Sequence, residues 1–310
     1  MTAILTLMLS TQQKFWNAYA RYVQKPNLAM LTYQPLARHV AKINAILTLK
    51  TPPDLQLTER KLTHDGRTVR VTQCQTGPAP AGGTLLYLHG GAFMIGTLRM
   101  YRHLVARLGA ASDQRALYLH YGLAPEHPYP HALDQATAAY QALCADPTTG
   151  PISLVGDSAG GNLVFALLHR ICTRDLPRPA AVATMSPATD LRGIAASLRD
   201  NARSDLLVPL SWAERGAAAY RGDADPENPE ISPIFGTFTG APPCLIQADD
   251  TEVLVDDSRA IAKALTDQGV QVQLNLSHGL PHVWHLNVGR SPEADASVAE
   301  IGQFIRDVAL

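Results

Sequence analysis

The residues Gly156-Asp157-Ser158-Ala159-Gly160 constrain the fold of this chain more than any other feature. They have the form G-x-S-x-G, and they lie between a short apolar run and an amphipathic stretch. A serine in such a strand–turn–helix needs a strained backbone, which the two glycines permit because neither carries a Cβ atom. Its hydroxyl would then project at a helix N-terminus, where developing negative charge is stabilised. The pattern predicts that Ser158 is a nucleophile. The alternative is a glycine-rich turn with an incidental serine.

A second glycine-rich turn, His89-Gly90-Gly91-Ala92, directly follows the apolar run 84–88. Two successive residues without side chains allow backbone N–H groups to approach a substrate oxygen. Together with the N–H after the nucleophile, on Ala159, such donors form an oxyanion hole. A phosphate-binding loop is the competing interpretation. The chain, however, has no GxxxxGK[ST] motif and no GxGxxG followed by an acidic residue.

From about residue 55, short β-rich runs alternate with helical patterns, which predicts βαβ units and a mostly parallel sheet. The turn at 64–67 predicts an antiparallel pair of strands at one edge. The strand candidates are 68–73, 84–88, 116–119, 153–155, 181–185, 244–247 and 270–276. The helix candidates are 101–111, 132–145, 159–172, 212–221 and 258–268.

Two parts of the chain do not follow this alternation. Residues 10–50 have helical spacing, and we expect Pro26 and Pro35 to divide them into two helices. Residues 190–230 contain several prolines and one helix candidate. We interpret them as an insertion that packs on the N-terminal helices.

A serine nucleophile needs a base, and in a strand–turn–helix of this kind the histidine comes last in the chain. His278, His282 and His285 all follow the last strand candidate. Pro281 fixes the backbone before His282 and places it in a loop, so His282 is the predicted base. His278 lies only two residues beyond the strand, and His285 is expected on the following helix.

The orienting acid is expected in the loop after the strand 244–247. This loop contains five carboxylates, and position alone does not choose among Asp249, Asp250, Glu252, Asp256 and Asp257. Asp256 or Asp257 would also suit the N-terminus of the next helix as a cap.

Composition excludes several other classes of protein. With 26 Lys and Arg against 27 Asp and Glu, the net charge of −1 offers no basic surface for nucleic acid. The 4 cysteines form no CxxC pair, which argues against a zinc site or a disulfide scaffold and for reduced thiols in a cytoplasmic protein. The sequence contains no apolar run long enough to cross a membrane, and the short segment 3–9 lacks the features of a signal peptide.

The chain resembles the hormone-sensitive-lipase-like esterases, bacterial family IV of the α/β-hydrolases. The matching stretches, in the family's order, are HGGA at 89–92, YGLAPEHPYPHALD at 121–134, GDSAGG at 156–161, SPATDL at 186–191, SPIFGTFTGAPPCLIQ at 232–247, EVLVDD at 252–257 and GLPHVWH at 279–285. The resemblance implies an α/β-hydrolase fold, with a mostly parallel eight-stranded sheet flanked by helices and a helical cap. The cap would comprise residues 1–50 and 190–230, and the core 51–189 and 231–310.

The resemblance also implies a role for each site residue. Ser158 matches the nucleophile, His282 the base, and Glu252 the acid at the first position of a D/E-x-L-x-D motif. The oxyanion donors match Gly90, Gly91 and Ala159.

The expected activity is that of a serine carboxylesterase. It would hydrolyse small-molecule esters of short- to medium-chain acids through an acyl-enzyme, without a metal or cofactor, in a chain that forms a homodimer. The alternatives are a lactone hydrolase or amide deacetylase with the same triad, or a non-catalytic ligand-binding receptor.

The chain departs from the family pattern at two positions. Ala92 replaces the third glycine of HGGG, and we expect little effect because the donors match the first two glycines. Gly122 replaces the arginine of YRLAP, which puts the local support of a nearby loop in doubt. We expect the rest of this segment, including Asp134, to support the HGG loop.

Overall fold

The computed structural model describes residues 4–5, 9–30 and 54–309. A single sheet runs through it with the strand order β1-β9-β8-β7-β6-β4-β5-β3-β2. The strands are β1 (Ile4–Leu5), β2 (Gln56–His64), β3 (Arg67–Gln75), β4 (Thr84–Leu88), β5 (Arg115–Leu119), β6 (Ile152–Asp157), β7 (Ala181–Met185), β8 (Cys244–Asp249) and β9 (Val272–Ser277). Pairing is antiparallel for β2 with β3 and for β3 with β5, and parallel elsewhere.

The strand predictions are confirmed, with ends that differ by at most two residues. The predicted edge hairpin is the β2–β3 pair, in which His64 pairs with Arg67. Eight strands, β2 to β9, form the expected α/β-hydrolase sheet, and the two-residue β1 extends it beside β9. The central strands are buried along their whole length because helices cover both faces, which accounts for their continuous apolar runs.

Helices cover the two faces of the sheet in separate groups. One face packs against α4 (His131–Ala145), α5 (Ala159–Thr173) and α8 (Val255–Asp267). The other packs against α3 (Leu98–Ser112) and α9 (Pro292–Ala309). Helix α9 was not among the sequence predictions. Its apolar side chains do have helical spacing, at Val298, Ile301 and Ile305, and all three are buried.

The prediction that Pro26 divides two helices is wrong. Helix α1 (Thr11–Tyr19), a π-helical segment (Ala20–Gln24) and α2 (Lys25–Met30) follow one another without a break. The N–H of Lys25 bonds to the carbonyl of Ala20 in the wider π pattern. Pro26, which has no N–H to donate, follows this widened turn and does not end the helix. Pro35 lies outside the described residues.

Residues 190–230 contain two further helices, α6 (Ser197–Asp200) and α7 (Leu210–Arg221). Side chains of the N-terminal helix bond to the backbone of this segment. Lys25 donates to the carbonyls of Ala202 and Asp205, at 2.9 and 2.6 Å. In return, Arg215 donates to the carbonyl of Leu28 at 3.1 Å. These bonds join the two parts of the chain that interrupt the α/β alternation.

A buried arginine ties the end of this segment to the core. Arg170, on α5, donates to both carboxylate oxygens of Glu230 at 2.6 Å and to Asp134 on α4 at 2.6 Å. Its side chain is 5% exposed, and that of Glu230 is 16% exposed. A desolvated pair of this kind stabilises the fold chiefly because removing one partner leaves the other charge buried and unpaired.

We therefore expect Arg170→Ala to lower the free energy of unfolding by about 3 kcal/mol. Arg174→Ala is the matched control, because Arg174 contacts the same Glu230 at 3.4 Å with a side chain that is 53% exposed. A solvated pair of that kind contributes less than about 1 kcal/mol. Urea denaturation measures the free energy of unfolding of both variants. Equal losses in the two variants would contradict the stabilising role of the buried Arg170–Glu230 pair.

Candidate active site

Ser158 occupies the strained turn that the sequence predicts. It follows β6 and precedes α5, with φ = 52° and ψ = −120°. A positive φ is unusual for a residue with a side chain, and the surrounding backbone holds it here. Its N–H donates to the carbonyl of Met185 on β7 at 2.9 Å, and its carbonyl accepts from Asn162 and Ala188 at 3.1 Å.

The two glycines of the motif allow a close backbone approach, as expected. A Cβ atom on Gly156 would lie 2.6 Å from the carbonyl oxygen of Gly160. A Cβ on Gly160 would collide with the carbonyls of Leu88 and His89, at the start of the HGG loop. The serine turn and the HGG loop are therefore in direct backbone contact.

Asp157 binds the HGG loop through its side chain. Its Oδ1 accepts hydrogen bonds from the N–H of Gly90 at 2.8 Å and from the hydroxyl of Tyr87 at 2.6 Å. The hydroxyl of Tyr101 is 3.5 Å from its Oδ2. Burial has the largest effect on the pKa of Asp157, and these hydrogen bonds oppose it. The net result is a pKa raised to about 6. The motif position between Gly156 and the serine thus has a structural role that sequence reasoning missed.

The bond to Asp157 changes the expected set of oxyanion donors. Because the Gly90 N–H is already donated to a carboxylate, the structure does not leave it free for a substrate oxygen. Gly91 and Ala159 line the cavity beside Ser158, and so does Ala92. Among the residues that the structure describes, their three N–H groups have no bonded acceptor.

His282 and Glu252 form a buried pair. His282 Nδ1 lies 2.8 Å from Glu252 Oε2, and the two side chains are 7% and 1% exposed. Asn201 Nδ2 donates to the carbonyl of Glu252 at 2.9 Å and holds its loop. Ser158 and His282 line the same cavity. Within the described ranges, Ser158 Oγ makes no hydrogen bond to the imidazole, and such contacts commonly tighten only when substrate binds.

The other four carboxylates of the loop have separate partners. Asp249 accepts from the N–H groups of Gly279 and Leu280, at 3.2 and 2.7 Å, and so positions the loop that carries His282. Asp250 pairs with the exposed His278 at 2.8 Å. His278 and Asp250 were alternative candidates for the base and the acid, and they do contact each other. Their pair, however, lies at the protein surface.

Asp256 and Asp257 do not cap the next helix, contrary to expectation. Helix α8 begins at Val255, so both lie inside its first turn. Asp256 accepts from the N–H of Ser197 at 2.9 Å. Asp257 is buried and accepts from the N–H groups of Thr189 and Asp190, at 2.7 and 3.0 Å. Both aspartates therefore bind the segment 189–197, which follows β7. His285 also has a structural role, since its Nε2 is 2.7 Å from Gln247 Oε1 in the core.

The segment 121–134 supports the HGG loop through its first residues. Tyr121 stacks on the buried His89 with ring centroids 4.1 Å apart, and its hydroxyl donates to the carbonyl of His89. At Gly122 a Cβ would lie 2.6 Å from the ring of His131, so that ring occupies the space of a side chain. The expectation for Asp134 is wrong, because it pairs with Arg170 instead.

A cavity of about 210 Å³ opens above Ser158. Its floor includes Gly91, Ser158 and His282. Its walls are mostly apolar and come from the N-terminal helix and the 190–230 segment, including Leu28, Leu198, Leu207, Val208, Leu210 and Trp212.

The search for other kinds of site covers residues 4–5, 9–30 and 54–309. In these ranges, no three His, Cys, Asp or Glu side chains are grouped so as to hold a metal ion. No helix in them has both the length and the apolar character needed to span a bilayer. All four cysteines are unpaired thiols.

Comparison with known proteins agrees with this fold. A model of the alpha/beta hydrolase fold family matches residues 85–286. An acetyl-hydrolase of Streptomyces hygroscopicus is 38% identical over 226 residues, which cover 73% of this chain and 76% of that protein. An ethyl acetate hydrolase of Pseudomonas putida is 32% identical over 241 residues, which cover 74% of each.

The similarity extends to experimental structures. An esterase from the bacterial hormone-sensitive lipase family superposes with a TM-score of 0.88 at 31% identity, covering 98% of this chain and 100% of that one. The fold and site define an α/β-hydrolase. The chain belongs to the hormone-sensitive-lipase-like branch of this superfamily, a branch of esterases, and the resemblance seen in the sequence is confirmed.

The Glu252–His282 pair leads to a prediction about pH. Burial lowers the pKa of His282, but the hydrogen bond and charge of Glu252 outweigh burial and raise the pKa above 6.5. While Glu252 is ionised, the stabilisation from protonated His282 is therefore complete below pH 6.5 and is lost as the pH rises through the raised pKa; at lower pH the pair is lost when Glu252, whose own pKa burial raises, takes up a proton. Glu252→Gln removes the charge, so the pKa of His282 should fall.

NMR titration of the imidazole measures this change, and a His282→Gln spectrum assigns the resonance. Asp205 and Asp157 also raise the pKa of His282 and remain in the variant, so they should limit the fall that burial favours. An unchanged pKa in Glu252→Gln would contradict the pairing.

Proposed function

We propose that this chain is a serine carboxylesterase with the triad Ser158, His282 and Glu252. The observation that carries the proposal is the buried 2.8 Å hydrogen bond between Glu252 and His282 beside the cavity that Ser158 lines. The acid orients the imidazole and stabilises its cation, the imidazole serves as base, and the strained serine presents its hydroxyl.

The reaction follows from these positions. Ser158 Oγ attacks the ester carbonyl carbon while His282 Nε2 accepts the hydroxyl proton. The carbonyl π electrons move to oxygen, and the tetrahedral oxyanion is stabilised by backbone N–H groups. As the intermediate collapses, His282 protonates the departing alcohol and an acyl-enzyme remains. Water, deprotonated by the same imidazole, then attacks the acyl carbon; the bond to Ser158 Oγ breaks, the imidazolium returns the proton to Oγ, and the acid leaves.

The proposed oxyanion donors are Gly91 and Ala159, with Ala92 as the third N–H on the same side. Gly90 is better assigned to the support of the loop, because its N–H is bound by Asp157 at 2.8 Å. The partial positive charge at the N-terminus of α5 favours the oxyanion in addition.

The proposed substrates are small-molecule esters of short and medium chain length. A cavity of about 210 Å³ with apolar walls suits an acyl group of a few carbons. We propose that residues 1–50 and 190–230 form the cap that limits its length. The acetyl-hydrolase and the ethyl acetate hydrolase, to which the chain is similar, are named for small acyl groups. The homodimer and the cytoplasmic location stay predictions from the sequence.

Replacement of the nucleophile tests the reaction. The purified chain should hydrolyse p-nitrophenyl butyrate without added metal, and Ser158→Ala should lower kcat by about 10⁶. Steady-state kinetics and mass spectrometry of the trapped acyl-enzyme provide the measurements. Full activity in Ser158→Ala, or no hydrolysis of any ester by the wild type, would refute the proposal.

Two isosteric amide substitutions test the acid. Glu252→Gln should lower kcat by about 10³–10⁴, because the imidazole loses its orienting partner. Asp256→Asn, which alters a carboxylate that is 33% exposed and bonded to the Ser197 N–H, should instead lower stability by about 1 kcal/mol and leave kcat near wild type. Kinetics and thermal melts on both variants separate the two roles. The reverse pattern would place the acid elsewhere in the loop.

A further inference from the structure

The HGG loop has an unusual backbone conformation where it turns beside Ser158. Gly91, Ala92 and Phe93 have φ values of 109°, 52° and 59°. Two of these three successive left-handed residues carry side chains, so the conformation persists only if surrounding structure holds it. Part of this support comes from the core, where the N–H of Ala124 donates to the carbonyl of Phe93 at 2.9 Å.

Further support comes from helix α7 of the 190–230 segment. The buried residues of this helix are Trp212, Gly216 and Tyr220, which share one face because they are four residues apart. Trp212 lines the cavity. The ring of Tyr220 stacks on that of Phe93 with centroids 3.9 Å apart and planes 7° apart. Both rings are buried, at 1% and 3% exposure.

Gly216 lies directly against the residue that departs from the family motif. A Cβ atom on Gly216 would be 2.6 Å from the Cβ of Ala92 and 2.7 Å from its carbonyl oxygen. The helix therefore approaches the loop as closely as its backbone allows, and the missing side chain of Gly216 accommodates the methyl group of Ala92. The alanine in HGGA and the glycine in α7 are complementary in size.

We propose that Gly216 and Tyr220 are positioning residues that hold the oxyanion loop in its reactive conformation, so that helix α7 sets the rate of the chemical step. This inference rests on the proposed esterase function and assigns α7 a role beyond covering the substrate. The backbone of Ala92 lies between the α7 contact and the Gly91 N–H. A shift of α7 therefore moves a donor that must meet the oxyanion.

Gly216→Ala tests the contact directly. The added methyl group must displace the loop or the helix by several tenths of an ångström, since the atoms it meets include backbone. Displacement of catalytic groups by such amounts lowers kcat by about 10- to 100-fold. The KM for p-nitrophenyl butyrate should change little, because the apolar walls of the cavity remain. Alanine also favours helix more than glycine, so unfolding of α7 would not account for the loss.

A transition-state analogue provides a readout that a purely structural role would leave unchanged. With a trifluoromethyl ketone, Ser158 Oγ adds to the carbonyl carbon, its proton passes to His282, and the carbonyl oxygen becomes the oxyanion. The inhibition constant should rise in Gly216→Ala by the same factor as kcat falls. Ala92→Gly removes one of the two colliding atoms, so the double variant Ala92→Gly/Gly216→Ala should recover part of the loss.

Tyr220 offers an independent test should Gly216→Ala fold poorly. Tyr220→Leu removes the stacked ring and should lower kcat and analogue affinity together, whereas Tyr220→Phe keeps the ring and should restore both. The hydroxyl of Tyr220 has no hydrogen-bond partner among the described residues, so its removal leaves the stack intact. Ala218→Gly is the matched control on α7, because it weakens the helix at an exposed position away from the loop.

The outcomes separate this inference from the proposed function. Wild-type hydrolysis that is abolished in Ser158→Ala upholds the esterase whatever α7 does. If Gly216→Ala and Tyr220→Leu then keep wild-type kcat and analogue affinity, the positioning role is refuted. It is also refuted if Ala218→Gly lowers kcat as much as Gly216→Ala, since helix stability alone would then explain the effect.

Discussion

The close backbone contact between the serine turn and the HGG loop is the constraint on which the rest of the site depends. Gly160 approaches the carbonyls of Leu88 and His89 so closely that no side chain fits between them. The carboxylate of Asp157 accepts from the Gly90 N–H across the same contact. Ser158 and the neighbouring N–H groups therefore form one unit, attached to the ends of β4 and β6 at the centre of the sheet.

Glu252 and His282, the proposed acid and base, are held by a second set of contacts at the ends of β8 and β9. Asp249 bonds to the backbone of the loop that carries His282, and Asn201 of the 190–230 segment bonds to the carbonyl of Glu252. The loop of each of these two residues is thus held by hydrogen bonds to a neighbouring element. The 190–230 segment takes part on both sides of the site, since its helix α7 also packs on the HGG loop. The same segment therefore lines the cavity and contacts the loops that form the site.

Most of the sheet and the candidate site could be predicted because their signals are local in the chain. The G-x-S-x-G turn and the runs 84–88 and 181–185 each carry their pattern within a few residues, and β4 and β7 have these bounds in the structure. The choice of Glu252 among five carboxylates came from resemblance, because loop position is the same for all five. Their separation depends on partners from distant parts of the chain, such as Thr189 for Asp257 and Leu280 for Asp249.

Spacing and residue type in the chain determined the fold class and were sufficient to predict Ser158 as nucleophile and His282 as base, since short motifs encode turns and helical or strand periodicity. Three features depended on the folded chain. The Gly90 N–H is taken by Asp157, Asp134 pairs with Arg170, and Ala92 fits against Gly216. In each case the partner is 36 to 124 positions away in the chain, and only packing brings the atoms together. Periodicity describes which face of an element is buried, but it does not identify the neighbour that this face will meet.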